Sequence, residues 1–103
     1  LGIEDNPAMN SPAPAVTHNP SVPRFEAAID GQLCVADYEL ADGVMRMTHT
    51  YVPAALEGRG IAAALVAAAL AHARAAGWRV LPLCSYVRVY MERRPETHDL
   101  LAE

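Results

Sequence analysis

Between Gly60 and Gly77 lies a run of sixteen residues built from alanine, leucine, isoleucine and valine and broken only by His72 and Arg74. It falls short of the ~18–20 apolar residues that cross a bilayer, and the two polar side chains interrupt it further. The run therefore reads as a buried helix of a soluble domain, opening at Gly60 and stopping at Gly77. Ile61, Leu65, Ala68 and His72 form one stripe, with Val66, Leu70 and Ala73 beside it. Gly77 suits a left-handed C-terminal stop over which Trp78 folds back. A helix apolar this far round its circumference needs a broad surface to bury it. The chain has 103 residues, 52% of them hydrophobic and 19% charged, enough for one core and too few for two.

Three strand patterns upstream supply that surface. Phe25, Ala27 and Ile29 alternate with Glu26, Ala28 and Asp30, and Asp30-Gly31 is a hairpin turn signal. Next, Cys34, Ala36, Tyr38 and Leu40 share one face, and Asp42-Gly43 supplies a second turn. The third pattern, Val44 to Val52, puts Met45, Met47, His49 and Tyr51 on one face and Arg46, Thr48 and Thr50 on the other; Pro53 ends it. Beyond the helix, Val80 to Cys84 is a short apolar strand suited to a buried parallel position. Pro82 limits its pairing, so it should splay from its neighbour. Ser85 caps a second helix, Tyr86 to Arg94, closed by Pro95. The expected fold is α+β in the order β-β-β-α-β-α: an antiparallel meander, then helix, strand and helix, with a cleft where the fourth strand leaves the third. The crossover through the long helix should be right-handed. Five prolines between Asp5 and Pro23 make residues 1–23 read as a flexible tail and residues 24–103 as the domain. The first methionine is Met9, so residues 1–8 read as an extension ahead of the native start.

The formal charge of −4 is unevenly spread. Residues 1–43 carry a net −6, residues 44–94 a net +5, and the remainder −3. A locally cationic middle in an acidic chain suits a small anionic ligand better than a nucleic-acid duplex. The two cysteines, Cys34 and Cys84, do not make a disulfide framework, and no Cys or His pair has zinc-ligand spacing, so no metal is expected. The N-terminus shows no secretory pattern, which points to a reducing cytoplasm with both thiols free.

The segment from Val52 to Ala62 carries the most chemical information. A strand ends, Gly58-Arg59-Gly60 turns, and a helix opens. Backbone N–H groups from Arg59 to Ala63 would converge on one spot with the helix dipole behind them, which makes an anion cradle or, equally, an ordinary strand-to-helix turn. Cys84 lies between a strand end and a helix N-terminus, where the dipole favours a thiolate; it reads either as a nucleophile or as a small buried hydrophobe. Cys34, in the middle of a strand, reads as core. An imidazole titrating near pH ~6.5 when unperturbed suits a general base, and His49 is the one histidine on a strand face beside the cradle. His49 equally suits a core position satisfied by a neighbour.

Strands, then Gly58-Arg59-Gly60-Ile61-Ala62 opening a helix, then an apolar strand and a helix bearing Tyr90, resemble the GNAT superfamily of acetyl-CoA-dependent N-acetyltransferases over about Phe25 to Glu96. That superfamily's Q/R-x-x-G-x-G/A signature falls on Glu57 to Ala62: Gly60 and Ala62 match, and Glu57 replaces the usual Gln or Arg. A closer likeness is to its small single-domain members. It rests on His49-Thr50-Tyr51-Val52-Pro53, on Glu57 to Ala62, and on Leu81 to Tyr86 continuing through Glu92-Arg93-Arg94-Pro95-Glu96. The helices that larger relatives place between their first two strands are missing, since only a tight turn separates those patterns here.

The resemblance implies acetyl-CoA as co-substrate and an unidentified amine, free or on a protein, as acceptor. Its phosphates would meet Gly58, Arg59, Gly60, Ile61, Ala62 and Ala63, and backbone groups near Tyr51 and Val52 would hold the thioester and pantetheine arm. Tyr90 falls where the superfamily often places the tyrosine that protonates the leaving thiolate; packing against the sheet is the alternative. The candidate catalytic residues are Cys84, Tyr90 and His49. Cys84 either takes the acetyl group covalently or stands aside from direct transfer. A non-catalytic coenzyme A-binding module and a coenzyme-free interaction domain are the competing functions.

Overall fold

The computed structural model describes residues 14–102, so the expectations for residues 1–13, including a start at Met9, lie outside the described residues. The strands are β1 (Thr17–Asn19), β2 (Arg24–Ile29), β3 (Gln32–Ala41), β4 (Val44–Tyr51) and β5 (Arg79–Pro82). Helix α1 spans Ile61–Ala76 and α2 spans Ser85–Glu92, with 3-10 turns at Ala54–Leu56 and Pro95–Leu100. The five strands form one sheet in the order β1-β2-β3-β4-β5, antiparallel except for the parallel β4–β5 pair. This is the expected α+β meander followed by helix, strand and helix, with one strand added at its edge.

The added strand corrects the reading of residues 14–23 as tail. Thr17, His18 and Asn19 pair with Glu26, Phe25 and Arg24. His18 accounts for the docking: its ring stacks on Phe25 at 4.4 Å with the planes 6° apart. Its Nε2 also shares a 2.6 Å hydrogen bond with the Tyr38 hydroxyl. With the Asn19 amide donating to Glu26 Oε2 at 3.0 Å, these contacts fix a segment whose proline content alone reads as tail.

Both Asp-Gly turns form as two-residue hairpin loops. Asp30 and Gly31 have φ of 52° and 75°, and Asp42 and Gly43 have 55° and 75°, the paired positive values that a twist-matched hairpin turn requires. The β3–β4 ladder is then interrupted: Tyr38 pairs with Met47 and Asp37 with His49, leaving Thr48 as an extra residue. This β-bulge reverses the alternation along the rest of β4. Met45, Met47 and Thr50 therefore share the face that α1 covers, while His49 and Tyr51 turn to the other face, exposed to solvent. The expected grouping of Met45, Met47, His49 and Tyr51 fails at this one inserted residue.

The core lies between the sheet and α1. Ile61, Leu65, Val66, Ala69, Leu70 and Ala73 are buried from the helix, against Phe25, Cys34, Ala36, Tyr38, Met45 and Met47 from the strands. Ala68 and His72 sit half-buried at the edge of the apolar stripe. Gly77 ends α1 in the left-handed conformation, and the Trp78 N–H donates to the Ala73 carbonyl at 2.8 Å. The Pro95–Leu100 turn docks back through a two-oxygen ion pair from Arg74 to Asp99 at 2.7 and 3.1 Å. Leu101 then bridges to Val80, which partly closes the free edge of β5.

Candidate active site

Pairing between β4 and β5 stops at Met47–Pro82, although β4 runs on to Tyr51. The Met47 carbonyl marks the parting point, accepting from the N–H groups of both Leu83 and Cys84 at 3.1 and 2.9 Å. Beyond it β4 continues without β5 to Tyr51, while the chain after β5 turns into α2. The gap is a cleft of about 620 Å³, within the range of small-molecule sites. Thr50, Tyr51 and Val52 form its β4 wall. Glu57, Gly58 and Gly60 of the turn, then Ile61, Ala62 and Ala63 of α1, form the opposite end, and Tyr86 comes from α2.

Gly60 caps α1 in the left-handed conformation without a side-chain hydrogen bond, and the first closure of the helix is from the Ala64 N–H to the Gly60 carbonyl at 3.0 Å. The N–H groups of Ile61, Ala62 and Ala63 therefore have no partner inside the helix and border the cleft. With the positive end of the helix dipole behind them, they are oriented for an anion. A Cβ added at Gly58 or Gly60 would meet nothing within 4 Å, so open space borders both glycines at this end of the cleft.

Of the residues expected to hold a coenzyme, Tyr51, Val52, Gly58, Gly60, Ile61, Ala62 and Ala63 line the cleft and Arg59 does not. The Arg59 guanidinium instead reaches the β2–β3 turn, with Nη1 3.2 Å from Asp30 Oδ2. Among the expected catalytic residues, His49 is turned away by the bulge and faces the Asp37 side of the sheet. Tyr90 is also outside the cleft wall. Its ring lies under the Arg94 guanidinium, 3.7 Å from carbon to centroid, and packs half-buried against the core. The tyrosine in the wall is Tyr86, one helical turn earlier on the same stripe. The signal was present in the i, i+4 spacing of the two tyrosines, because the one nearer the helix N-terminus lies nearer the strand end.

Cys84 stands one contact behind the wall, as the N-cap residue of α2. Its Sγ is 3.5 Å from Thr50 Oγ1, and Thr50 lines the cleft. Burial pushes this thiol up, but hydrogen bonding from the Thr50 hydroxyl and from backbone groups of Val87, Tyr86 and Thr50 outweighs it, so the thiol sits below its ordinary range. Cys34 is the opposite case, fully buried and pushed up by that burial. Partial burial also raises the Tyr86 phenol, against a smaller opposing effect of Arg94. Among the described residues no cluster of histidine, cysteine and carboxylate side chains could hold a metal ion. No helix there is long and apolar enough to cross a membrane.

The profile of the GCN5-related N-acetyltransferases matches residues 24–100, which is β2 through the last 3-10 turn. The chain belongs to that family. A GCN5-like protein from Staphylococcus aureus, with an NMR solution structure, shares its fold at a TM-score of 0.69. That protein is 22% identical, and the match covers 86% of this chain and 88% of the other. The parted β4–β5 pair and the open amides of α1 thus occur in a member of the GCN5-related family, and Glu57 departs from the expected signature.

Proposed function

We propose that this GCN5-related protein binds acetyl-CoA in the β4–β5 cleft and passes the acetyl group to an amine. The observation that carries the reading is that one cleft is bordered both by the β4 edge beyond its pairing with β5, at Tyr51 and Val52, and by the α1 amides at Ile61, Ala62 and Ala63. The β4 edge suits an amide-containing pantetheine arm and the α1 amides suit phosphate oxygens. The β4 backbone also supplies donors beside the thioester carbonyl, where negative charge develops as the neutral amine attacks. The attacking nitrogen gives up a proton to water, and collapse of the tetrahedral adduct breaks the carbon–sulfur bond and leaves a thiolate. Tyr86, whose phenol stands in the cleft wall, is the group to return a proton to that sulfur. Tyr90 then serves as packing, and no proton transfer is assigned to His49.

A second route is supported by the lowered Cys84 thiol beside Thr50. Here the Cys84 thiolate would attack the acetyl carbonyl, the coenzyme thiolate would leave with a proton, and the amine would displace Cys84 in a second transfer. Direct transfer is the primary reading, because Cys84 lies behind the wall rather than in it. The two-step route needs a reducing compartment that keeps the thiol free, and the cytoplasm is the proposed setting.

The test is thermal denaturation with increasing acetyl-CoA, followed by free-thiol release with a panel of amines. Coenzyme at ~100 times its dissociation constant should add about 2.7 kcal/mol of stability. Stabilisation without thiol release would favour the coenzyme-binding module over the enzyme. An unchanged melting temperature at millimolar coenzyme would overturn the reading.

A further inference from the structure

The cleft is proposed above to receive a polyanion, yet among the described residues the only lining residue with a formal charge is an acid, Glu57. The nearest cation in sequence, Arg59, is committed elsewhere, paired at 3.2 Å with Asp30 of the β2–β3 turn. Arg88 and Arg94 of the α2 region are likewise engaged, donating to the backbone carbonyls of Leu83 and Tyr90. Among the described residues that line the cleft, backbone amides alone therefore supply attraction for an anion, and a carboxylate stands with them. Two acids from distant points of the chain act in the same sense: Glu57 adds negative charge to the wall, and Asp30 draws the arginine away from it.

We infer that Glu57 and Asp30 form an electrostatic counterweight that sets how tightly the cleft holds a phosphate-bearing acyl carrier. Glu57 opposes the phosphates directly, and Asp30 competes with them for Arg59. The consequence is weak retention of the coenzyme product and a cleft that discriminates against carriers by their charge. This inference rests on the coenzyme reading, and the experiment separates the two.

Calorimetric titrations of wild type, Glu57→Gln and Asp30→Asn would be run with coenzyme A and with pantetheine, which has the same arm and no phosphate. Both positions are exposed, so both variants should melt close to wild type. At low ionic strength Glu57→Gln should bind coenzyme A about three- to tenfold more tightly, the scale of removing one like charge near a solvated anion. Asp30→Asn should tighten it about two- to threefold, as expected for breaking one exposed ion pair that competes for Arg59. Neither should change pantetheine binding, and both gains should shrink toward nothing at ~1 M salt, where screening acts over about 3 Å. If wild type binds coenzyme A and Glu57→Gln binds it equally or more weakly, the counterweight is wrong while the coenzyme reading stands. An equal gain for pantetheine would also overturn it, since the effect would then not be charge. If coenzyme A binds none of the folded proteins, the coenzyme reading falls and takes this inference with it.

Discussion

The two glycines that bound α1 allow backbone strain and ligand binding to be measured separately. Gly60 has φ 78° and ψ 15°, and Gly77 has φ 76° and ψ 23°, so both ends of one helix hold nearly the same left-handed conformation. A Cβ would find open space at either position. Alanine at each therefore introduces the left-handed penalty alone, about 1–2 kcal/mol. In a domain of this size that lowers the melting temperature by about 4–16 °C, and by a similar amount in the two variants. They should part company only when coenzyme is present, because Gly60 lines the cleft and Gly77 does not. Saturating acetyl-CoA should raise Gly77→Ala by the increment of wild type, about 2.7 kcal/mol at 100 times the dissociation constant. In Gly60→Ala the methyl group stands in the approach to the α1 amides, and the increment should fall below about 1 kcal/mol on the scale of that linkage. Circular dichroism melts with and without ligand give all the required numbers. Equal ligand increments in the two variants would refute the amide cradle; unequal losses without ligand would refute the strain argument.

Other perturbations test other parts of the molecule. Iodoacetamide should label Cys84 well before Cys34, and acetyl-CoA without an acceptor should leave a hydroxylamine-labile acetyl mass on Cys84 only if the two-step route operates. Cys84→Ala that keeps most thiol release, beside a Tyr86→Phe that slows it, would point to direct transfer. Burial, and then the neighbouring His72, hold the His18 imidazole below its ordinary value of 6.5. Its contribution to stability is therefore complete above pH 6.5 and lost as pH falls through the lower folded value, where the unfolded chain binds the extra proton. Denaturation midpoints between pH 7.5 and 5 should decline less in His18→Phe, which keeps the stack on Phe25; an identical decline would count against the histidine pair. Leu65, with no exposed surface in the middle of α1, should cost about 2–5 kcal/mol when truncated to alanine, read from urea denaturation. A loss under about 1 kcal/mol would mean that the core collapses around the gap.

What the sequence reveals and what it hides divide along physical lines. The limits of α1 are legible because Gly60 and Gly77 bracket an unbroken apolar run, and both hairpins because Asp-Gly favours two successive positive φ values. The glycine turn is legible for the same local reason. His49 is misplaced because a bulge depends on how two strands meet: nothing in Met47-Thr48-His49 marks Thr48 as the unpaired residue, yet it reverses every later side chain of β4. Arg59 is misread because its partner Asp30 comes from a hairpin tip far away in the chain. β1 is hidden by the prolines around it, since its docking depends on contacts of His18 with the distant Phe25 and Tyr38. Tyr86 and Tyr90 occupy one stripe of α2, and here the sequence does carry the answer, since the tyrosine nearer the helix N-terminus is the one nearer the β5 end.

The strand order of the sheet repeats the order of the chain, and this bears on how the molecule assembles. β2, β3 and β4 are joined by two-residue turns, so their ladders can close as local hairpins, a process of about 1–10 μs. The β4–β5 ladder has to wait for α1 to bridge the gap, and it comprises only four residue pairs, Val44–Arg79 to Met47–Pro82. Non-local pairing of this kind is the slow step in small domains. The cleft begins where that short ladder ends, so it should be the last part of the fold to form and the first to open. Amide hydrogen exchange should show it: Val80 and Leu81 exchanging through a smaller opening than Cys34 and Ala36, with the meander intact while β5 and α2 detach. Equal protection across both groups would mean that the sheet opens as a single unit, and that loss of the binding cleft and loss of the fold are the same event.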